Sequence, residues 1–225
     1  MKIAAVTTCM GRLEHLQATL PHMLSQFDEV IVVDWSCPQN SGKWAEKEGA
    51  TVVFRPGNRY FNVSKARNIG ARQIKSRSVC FIDADTMALP GLREEIEERL
   101  SLSTMIISSR MDNGYDCQSL NGFLAIDIGH FWGVGGYNES LEGYSLEDAH
   151  IRARLRLERG LEPRRVSSLA GLRHCNSLRD RFYKEPIHVS SKRGYNELQV
   201  YLQSKGIKDW ITDSRTAEIA YRMSP

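Results

Sequence analysis

Two aspartates one residue apart close the apolar run Val79–Asp85, VCFIDAD. Two hard carboxylates in close company suit Mn²⁺ or Mg²⁺ carrying a substrate phosphate. The run reads as a buried strand of a parallel or mixed sheet, and such sheets bind ligands outside the carboxyl ends of their strands. Side chains alternate along a strand, which places Asp83 and Asp85 on one face. Taken alone, the pair is better explained by a carboxylate capping a turn or helix after the strand, since D-x-D is common; the rest of the chain lifts the metal reading. A second concentration of acid is Ser145-Leu146-Glu147-Asp148, with a hydroxyl in N-cap position and two carboxylates in the first turn of a helix that Gly160 ends. Capping and dipole compensation, about 0.5–1 kcal/mol each, account for Glu147 and Asp148 on their own. Lys65 and Arg67 open a further helix, where an N-terminus favours anions; ordinary surface charge is the competing reading.

The elements that must carry these groups are strands alternating with helical patterns. Lys2–Thr7, Glu29–Asp34, Thr51–Phe54, Met105–Ser108 and Gly122–Ile128 are β-rich runs. Between them, Leu13, Leu16, Leu20, Met23 and Leu24 recur at helical spacing, with Pro21 expected to bend or split that helix. Lys43–Glu48, about Ser64 to Ile74, and a charged segment from Pro90 to Leu100 are the other helices of the first half. The polar stretch Met111–Asn121 carries an Asn113-Gly114 turn. Arg164–Ser168 and Leu169–Arg173 are short extended segments leading to His174, and the polar tail forms a helix near Lys192–Gln203. Alternation without tight hairpin signals indicates βαβ units. The fold class is therefore α/β, with a mixed, mostly parallel sheet flanked by helices and a short C-terminal helical appendage.

At 225 residues and a net charge of +3, the chain is one domain of ordinary size or one with a small appendage. So small an excess does not argue for nucleic acid. The excess is local, ten Lys/Arg against six Asp/Glu from Arg173 onward, and fits a solvated basic face or peripheral membrane contact. No apolar run reaches the eighteen or so residues of a transmembrane helix, and the N-terminus turns polar too early for a signal peptide. Five scattered cysteines without CxxC spacing point to reduced thiols and a cytoplasmic protein.

Taken together, the pieces resemble a glycosyltransferase of the GT-A (Rossmann-like) fold. IAAVTTCMGRLEHLQATLP, VIVVDWSCP, NVSKARNIGA and VCFIDAD resemble glycosyltransferase family 2. GFLAIDIGHFWGVGGYNESLEGYSLEDAHIRARL is similar to the C-terminal module of β-1,4-galactosyltransferases, in which a GGY-(D/N)-E segment precedes an E-D pair opening a helix. The resemblance covers residues 2–175 and implies a nucleotide-binding half (1–110), an acceptor half (111–175) and a tail (176–225) that forms a lid or a packing appendage.

The resemblance also implies roles. Asp34 holds the uracil or ribose of the donor; Thr8 and Arg12 line the nucleotide pocket; Arg67 and Lys65 approach the base or diphosphate. Asp83 lies near ribose and metal, and Asp85 and His174 are metal ligands for Mn²⁺ or Mg²⁺. Asp148 is the general base, Glu147 orients acceptor or donor sugar, and Trp132 and Tyr144 contact the acceptor. Tyr144 stands where the galactosyltransferases have tryptophan, and Gly171 where some have a methionine ligand. The implied reaction moves a sugar from a nucleotide diphosphate donor, UDP-sugar first, to a hydroxyl of a glycan, lipid-linked or small-molecule acceptor, with inversion. A sugar-1-phosphate nucleotidyltransferase is the rival enzyme, although TTCMGRL lacks the glycine-rich basic loop usual there. A binding module that has lost catalysis is the non-enzyme rival.

Overall fold

A computed structural model describes residues 1–109, 120–172, 181–207, 210–213 and 218–221, with side chains described through residue 207. The first half alternates strand and helix: β1 (Ile3–Cys9), α1 (Leu13–Gln26), β2 (Glu29–Asp34), α2 (Ser41–Lys47), β3 (Thr51–Phe54), α3 (Val63–Ala71), β4 (Ser78–Phe81). There follow β5 (Thr86–Ala88), α4 (Leu92–Arg99), β6 (Thr104–Ser108), β7 (Leu124–Asp127) and α5 (Ile128–Gly133). The remainder is α6 (Glu147–Arg159), β8 (Glu162–Val166), β9 (Leu169–Gly171), α7 (Ile187–Ser204) and a hairpin of β10 (Trp210–Asp213) and β11 (Glu218–Tyr221).

Seven strands form one sheet in the order β3-β2-β1-β4-β7-β6-β8. The pairs β3-β2, β2-β1, β1-β4 and β6-β8 are parallel, whereas β7 runs antiparallel to both neighbours. This is the expected mixed, mostly parallel sheet. The chain leaves β1 toward β2 and β3, then returns to place β4 on the other side of β1. Strand order reverses there, which opens a crevice at the C-terminal ends of β1 and β4. Helices cover both faces. Leu16, Leu20 and Met23 of α1 and Leu92 and Ile96 of α4 pack with Ile3, Ala5, Cys80 and Ala125 on one face. Ile151 and Leu155 of α6 pack with Val79, Phe81, Leu124 and Ile126 on the other.

Several boundaries differ from the sequence reading. The strand expected over Val79–Asp85 stops at Phe81, so the aspartates stand in the turn beyond it. The run expected as a strand over Gly122–Ile128 pairs only over Leu124–Asp127, and Asp127 then caps α5 by accepting from the Gly129 N–H at 2.8 Å. Helix α1 is not split at Pro21; it runs unbroken through it because Leu16, Thr19, Leu20 and Met23 anchor both turns to the core. The Ser145 hydroxyl does not cap α6. Leu146 takes the N-cap place in a left-handed conformation (φ 58°), and the Ser145 oxygen is buried without a hydrogen-bond partner. The tail helix is longer than expected, and β10–β11 was not anticipated. The turn expected at Asn113-Gly114 lies outside the described residues. Among the described residues, no helix is long and apolar enough to cross a membrane.

Helix α3 approaches the sheet closely through Gly70, where a Cβ would stand 2.4 Å from Val6 Cγ1 and 3.1 Å from Val33 Cγ2. Alanine gains up to about 1 kcal/mol of helix propensity but overpacks at a cost of about 1–3 kcal/mol. Gly70→Ala is therefore expected to lower the unfolding free energy by about 1–2 kcal/mol in urea melts.

Candidate active site

The crevice is a cleft of about 350 Å³. Thr8 and Arg12 reach it from β1 and the following turn, Arg67 from α3, and Asp83 and Asp85 from the turn after β4. Tyr144 reaches it from the loop before α6, and Glu147 and Asp148 from the first turn of that helix. Eight sequence-expected residues from four separate stretches thus meet in one space.

The DAD turn is held by its backbone, which frees its side chains for the cleft. Asp83 O accepts from Thr86 N at 2.9 Å, Ala84 O from the buried Thr19 hydroxyl at 2.9 Å, and Asp85 O from Leu172 N at 2.7 Å. Three successive carbonyls are therefore satisfied by β5, α1 and the segment after β9. The antiparallel β5–β9 ribbon brings that last segment alongside. His174 lies outside the described residues, two positions beyond Leu172.

Arg67 occupies the centre. It is 2% exposed, and its guanidinium meets Asp83 Oδ1 at 2.6 Å, Asp148 Oδ1 at 2.5 Å and Glu147 Oε1 at 3.6 Å. It also lies over the Tyr137 ring, 5.0 Å from the centroid. Surface charge, the competing reading of Arg67, is thereby excluded. Burial disfavours its charge, but the surrounding carboxylates outweigh this and raise its pKa. The next residue, Asn68, binds the GGY segment: its side chain accepts from Tyr137 N and donates to Tyr137 O, both at 2.9 Å. Arg154 of α6 donates to Val134 O and Gly136 O at 2.6 Å from the other side. Gly122 closes the arrangement, since a Cβ there would fall 1.9 Å from Asp83 Oδ2 and 2.6 Å from Arg67 Nη2.

The acids respond to burial and to one another. Burial pushes Glu147 up to about 8, helped by Asp148 and opposed by Arg67. Burial also raises Asp148, with Arg67 the main opposing charge. Asp85 is raised by burial and by the Asp83 charge, against Arg12 and His15. That mutual repulsion is what a divalent cation between the two would relieve. Among the described residues no three His, Cys, Asp or Glu side chains gather to hold a metal, so Asp83 and Asp85 fit one as a partial donor set.

Three expected residues stand elsewhere. Asp34 is buried, and its two oxygens accept from Cys37 N at 2.7 Å and Gly42 N at 2.6 Å, shaping the loop after β2. Lys65 is exposed on α3 and does not line the cleft. Trp132 packs on Phe131 at 4.8 Å, beneath the Arg72 guanidinium at 5.2 Å, likewise outside the cleft. Conversely, Phe61, Phe182, Tyr183 and Gly122 line the cleft without having been singled out. The aromatic pair in RFY was a usable cue for the second and third; nothing local marks Gly122.

Two outcomes follow. Glu147 is raised from 4.5 to about 8, so the fold favours the protonated acid; that stability is complete below pH 4.5 and lost as pH rises through 8. Glu147→Gln, which mimics the protonated form, should therefore gain on wild type in denaturation midpoint as pH rises from 4.5 to 8. Gly122→Ala should lower stability by about 1–3 kcal/mol by displacing Asp83 from Arg67, read by chemical denaturation.

Residues 4–125 match the family model described as Glycosyl transferase family 2. No curated protein matches the sequence. Among solved structures, the chain is similar to the mannosyltransferase PcManGT of Pyrobaculum calidifontis, determined with GDP-Man and Mn²⁺ (TM-score 0.63, 14% identity). That match covers 92% of this chain and 64% of that one, so the chain spans less than two thirds of it. Mannosyl-3-phosphoglycerate synthase from Rubrobacter xylanophilus matches with TM-score 0.66 and 12% identity, over 95% of this chain and 78% of that one. Glucosyl-3-phosphoglycerate synthase from Mycobacterium tuberculosis, in complex with Mn²⁺, UDP and glucosyl-3-phosphoglycerate, matches with TM-score 0.60 and 16% identity, over 92% and 81%. At such identities the likeness establishes the GT-A fold, and the family model, spanning more than half the sequence, adds the lineage: the chain belongs to glycosyl transferase family 2.

Proposed function

We propose that the protein is an inverting, metal-dependent glycosyltransferase that moves a sugar from a nucleotide diphosphate, UDP first, to an acceptor hydroxyl. The observation that carries the reading is the Arg67 bridge, which ties the DAD turn to the Glu147-Asp148 pair across one cleft. In this reading Thr8, Arg12 and Asp83 hold the donor nucleotide, and Asp34 orders the loop beside it. Asp83 and Asp85, with His174, would hold Mn²⁺ or Mg²⁺. The cation, when bound, offsets negative charge that develops on the departing diphosphate.

The acid pair divides its work by environment, as neighbouring titratable groups pushed apart do. Glu147, raised to about 8, keeps its proton at neutral pH and donates a hydrogen bond to a sugar hydroxyl. Asp148, paired with Arg67 at 2.5 Å, stays the charged member and takes the proton from the acceptor hydroxyl. One base acting from the acceptor side gives inversion at the anomeric carbon. Tyr144, 41% exposed at the cleft, offers a ring face to the acceptor. The similarity of the second half to the β-1,4-galactosyltransferase module lends support through the E-D pair. Family membership favours this reading over the nucleotidyltransferase.

Incubation with UDP- and GDP-sugars, Mn²⁺ and a panel of glycosides tests it. Asp148→Asn should cut transfer by about 10²–10⁴-fold while UDP or GDP binding in Mn²⁺ changes by less than about two-fold. Chelation should stop donor turnover and Mn²⁺ should restore it. Undiminished transfer by Asp148→Asn removes the base assignment.

A further inference from the structure

Outside the residues matched by the family model, helix α7 grips the loop that leads into the acid pair. A Cβ on Gly194 would stand 1.9 Å from Ser145 O and 2.4 Å from Ser145 C, so helix and loop backbones touch directly. Across the same seam lies Gly143, with φ +77°, where a Cβ would be 2.9 Å from Ser190 Cβ. Between these two contacts, Tyr144 N donates to Ser190 Oγ at 3.2 Å, and Ser191 Oγ donates to Tyr144 O at 2.9 Å. One turn along, Arg193 donates to Glu142 O at 2.9 Å and is itself steadied by Glu185 at 2.7 Å. Behind the seam, Leu198 and Leu202 pack on Ala149 and Ala153, fastening α7 to α6. Tyr201 adds a hydrogen bond to Glu158 at 2.8 Å.

Loop Gly143–Leu146 pays for this grip in local conformation. Leu146 is a non-glycine residue at φ 58°, and the buried Ser145 hydroxyl has no partner. Such a conformation persists only where its surroundings over-determine it. The next two residues are Glu147 and Asp148. We propose that α7 is the positioning element of the acceptor side, with Ser190 and Gly194 as positioning residues that set Tyr144 against the acid pair and so select a sugar ring as acceptor. The acceptor part rests on the glycosyltransferase reading; the grip itself does not. Aromatic faces recognise pyranose rings through their apolar C–H surface, and a tyrosine clamped at both its backbone N–H and its C=O loses little freedom on doing so.

The test compares wild type with Ser190→Ala, Gly194→Ala and Val200→Ala, the last an exposed control on the same helix. Amide hydrogen exchange over Gly143–Leu146 reads the grip without any substrate. Exchange at Tyr144 should quicken by at least about ten-fold in Ser190→Ala and Gly194→Ala and stay unchanged in Val200→Ala. With UDP-glucose or GDP-mannose as donor, Mn²⁺, and methyl glycosides as acceptors, the first two variants should raise acceptor KM by at least about five-fold. Nucleotide affinity and donor hydrolysis should hold within about two-fold. Unaltered loop exchange overturns the proposal, as does unaltered acceptor KM in a variant whose loop has loosened. Donor turnover absent from the wild type counts against the glycosyltransferase reading instead, and exchange then decides the grip alone.

Discussion

A single guanidinium, that of Arg67, is the constraint to which the rest of the site answers. Removing such a cation from water costs several kcal/mol, and only close, well-directed anions repay it. Here the repayment comes from Asp83 and Asp148, contributed by positions on either side of residue 125. The bridge therefore joins the segment that the family model recognises to the one it does not. Each supporting feature serves the bridge geometrically. Gly122 leaves room for Asp83, Asn68 ties α3 to the GGY segment, and Tyr137 floors the guanidinium.

The same burial that makes the bridge expensive makes the acids useful. Three carboxylates around one cation cannot all ionise freely, so the protons are shared unequally among the acids. Glu147 is pushed to about 8, and Asp148 sits directly on the cation. Two residues on from Asp83, Asp85 is kept from its usual acidity by burial and by the Asp83 charge.

Much of the site was legible before any coordinates. The DAD turn, the acid pair and Arg67 stood out through the family resemblance of the stretches that carry them, and the sheet by its alternation of β-rich and helical runs. What misled was local chemistry read as if it acted locally. Pro21 lacks an N–H and yet sits inside α1, because tertiary burial of the flanking turns outweighs one missing bond. Ser145 has the right chemistry for a cap, but α7 presses on its carbonyl and Leu146 takes the cap position instead. Asp34, placed at a strand end like Asp83, turned its oxygens to backbone N–H groups eight residues or fewer ahead.

The sequence by itself determined which groups exist to do chemistry and which strands and helices deliver them to one edge of a sheet. Periodicity and residue type are properties of neighbours along the chain, and they suffice for that. Tertiary contacts alone make Arg67 a buried bridge and not a surface charge, leave Lys65 and Trp132 outside the cleft, and have α7 hold the loop before α6. Those outcomes depend on which atoms meet across large sequence separations, where close packing and the cost of an unpaired buried charge select one arrangement.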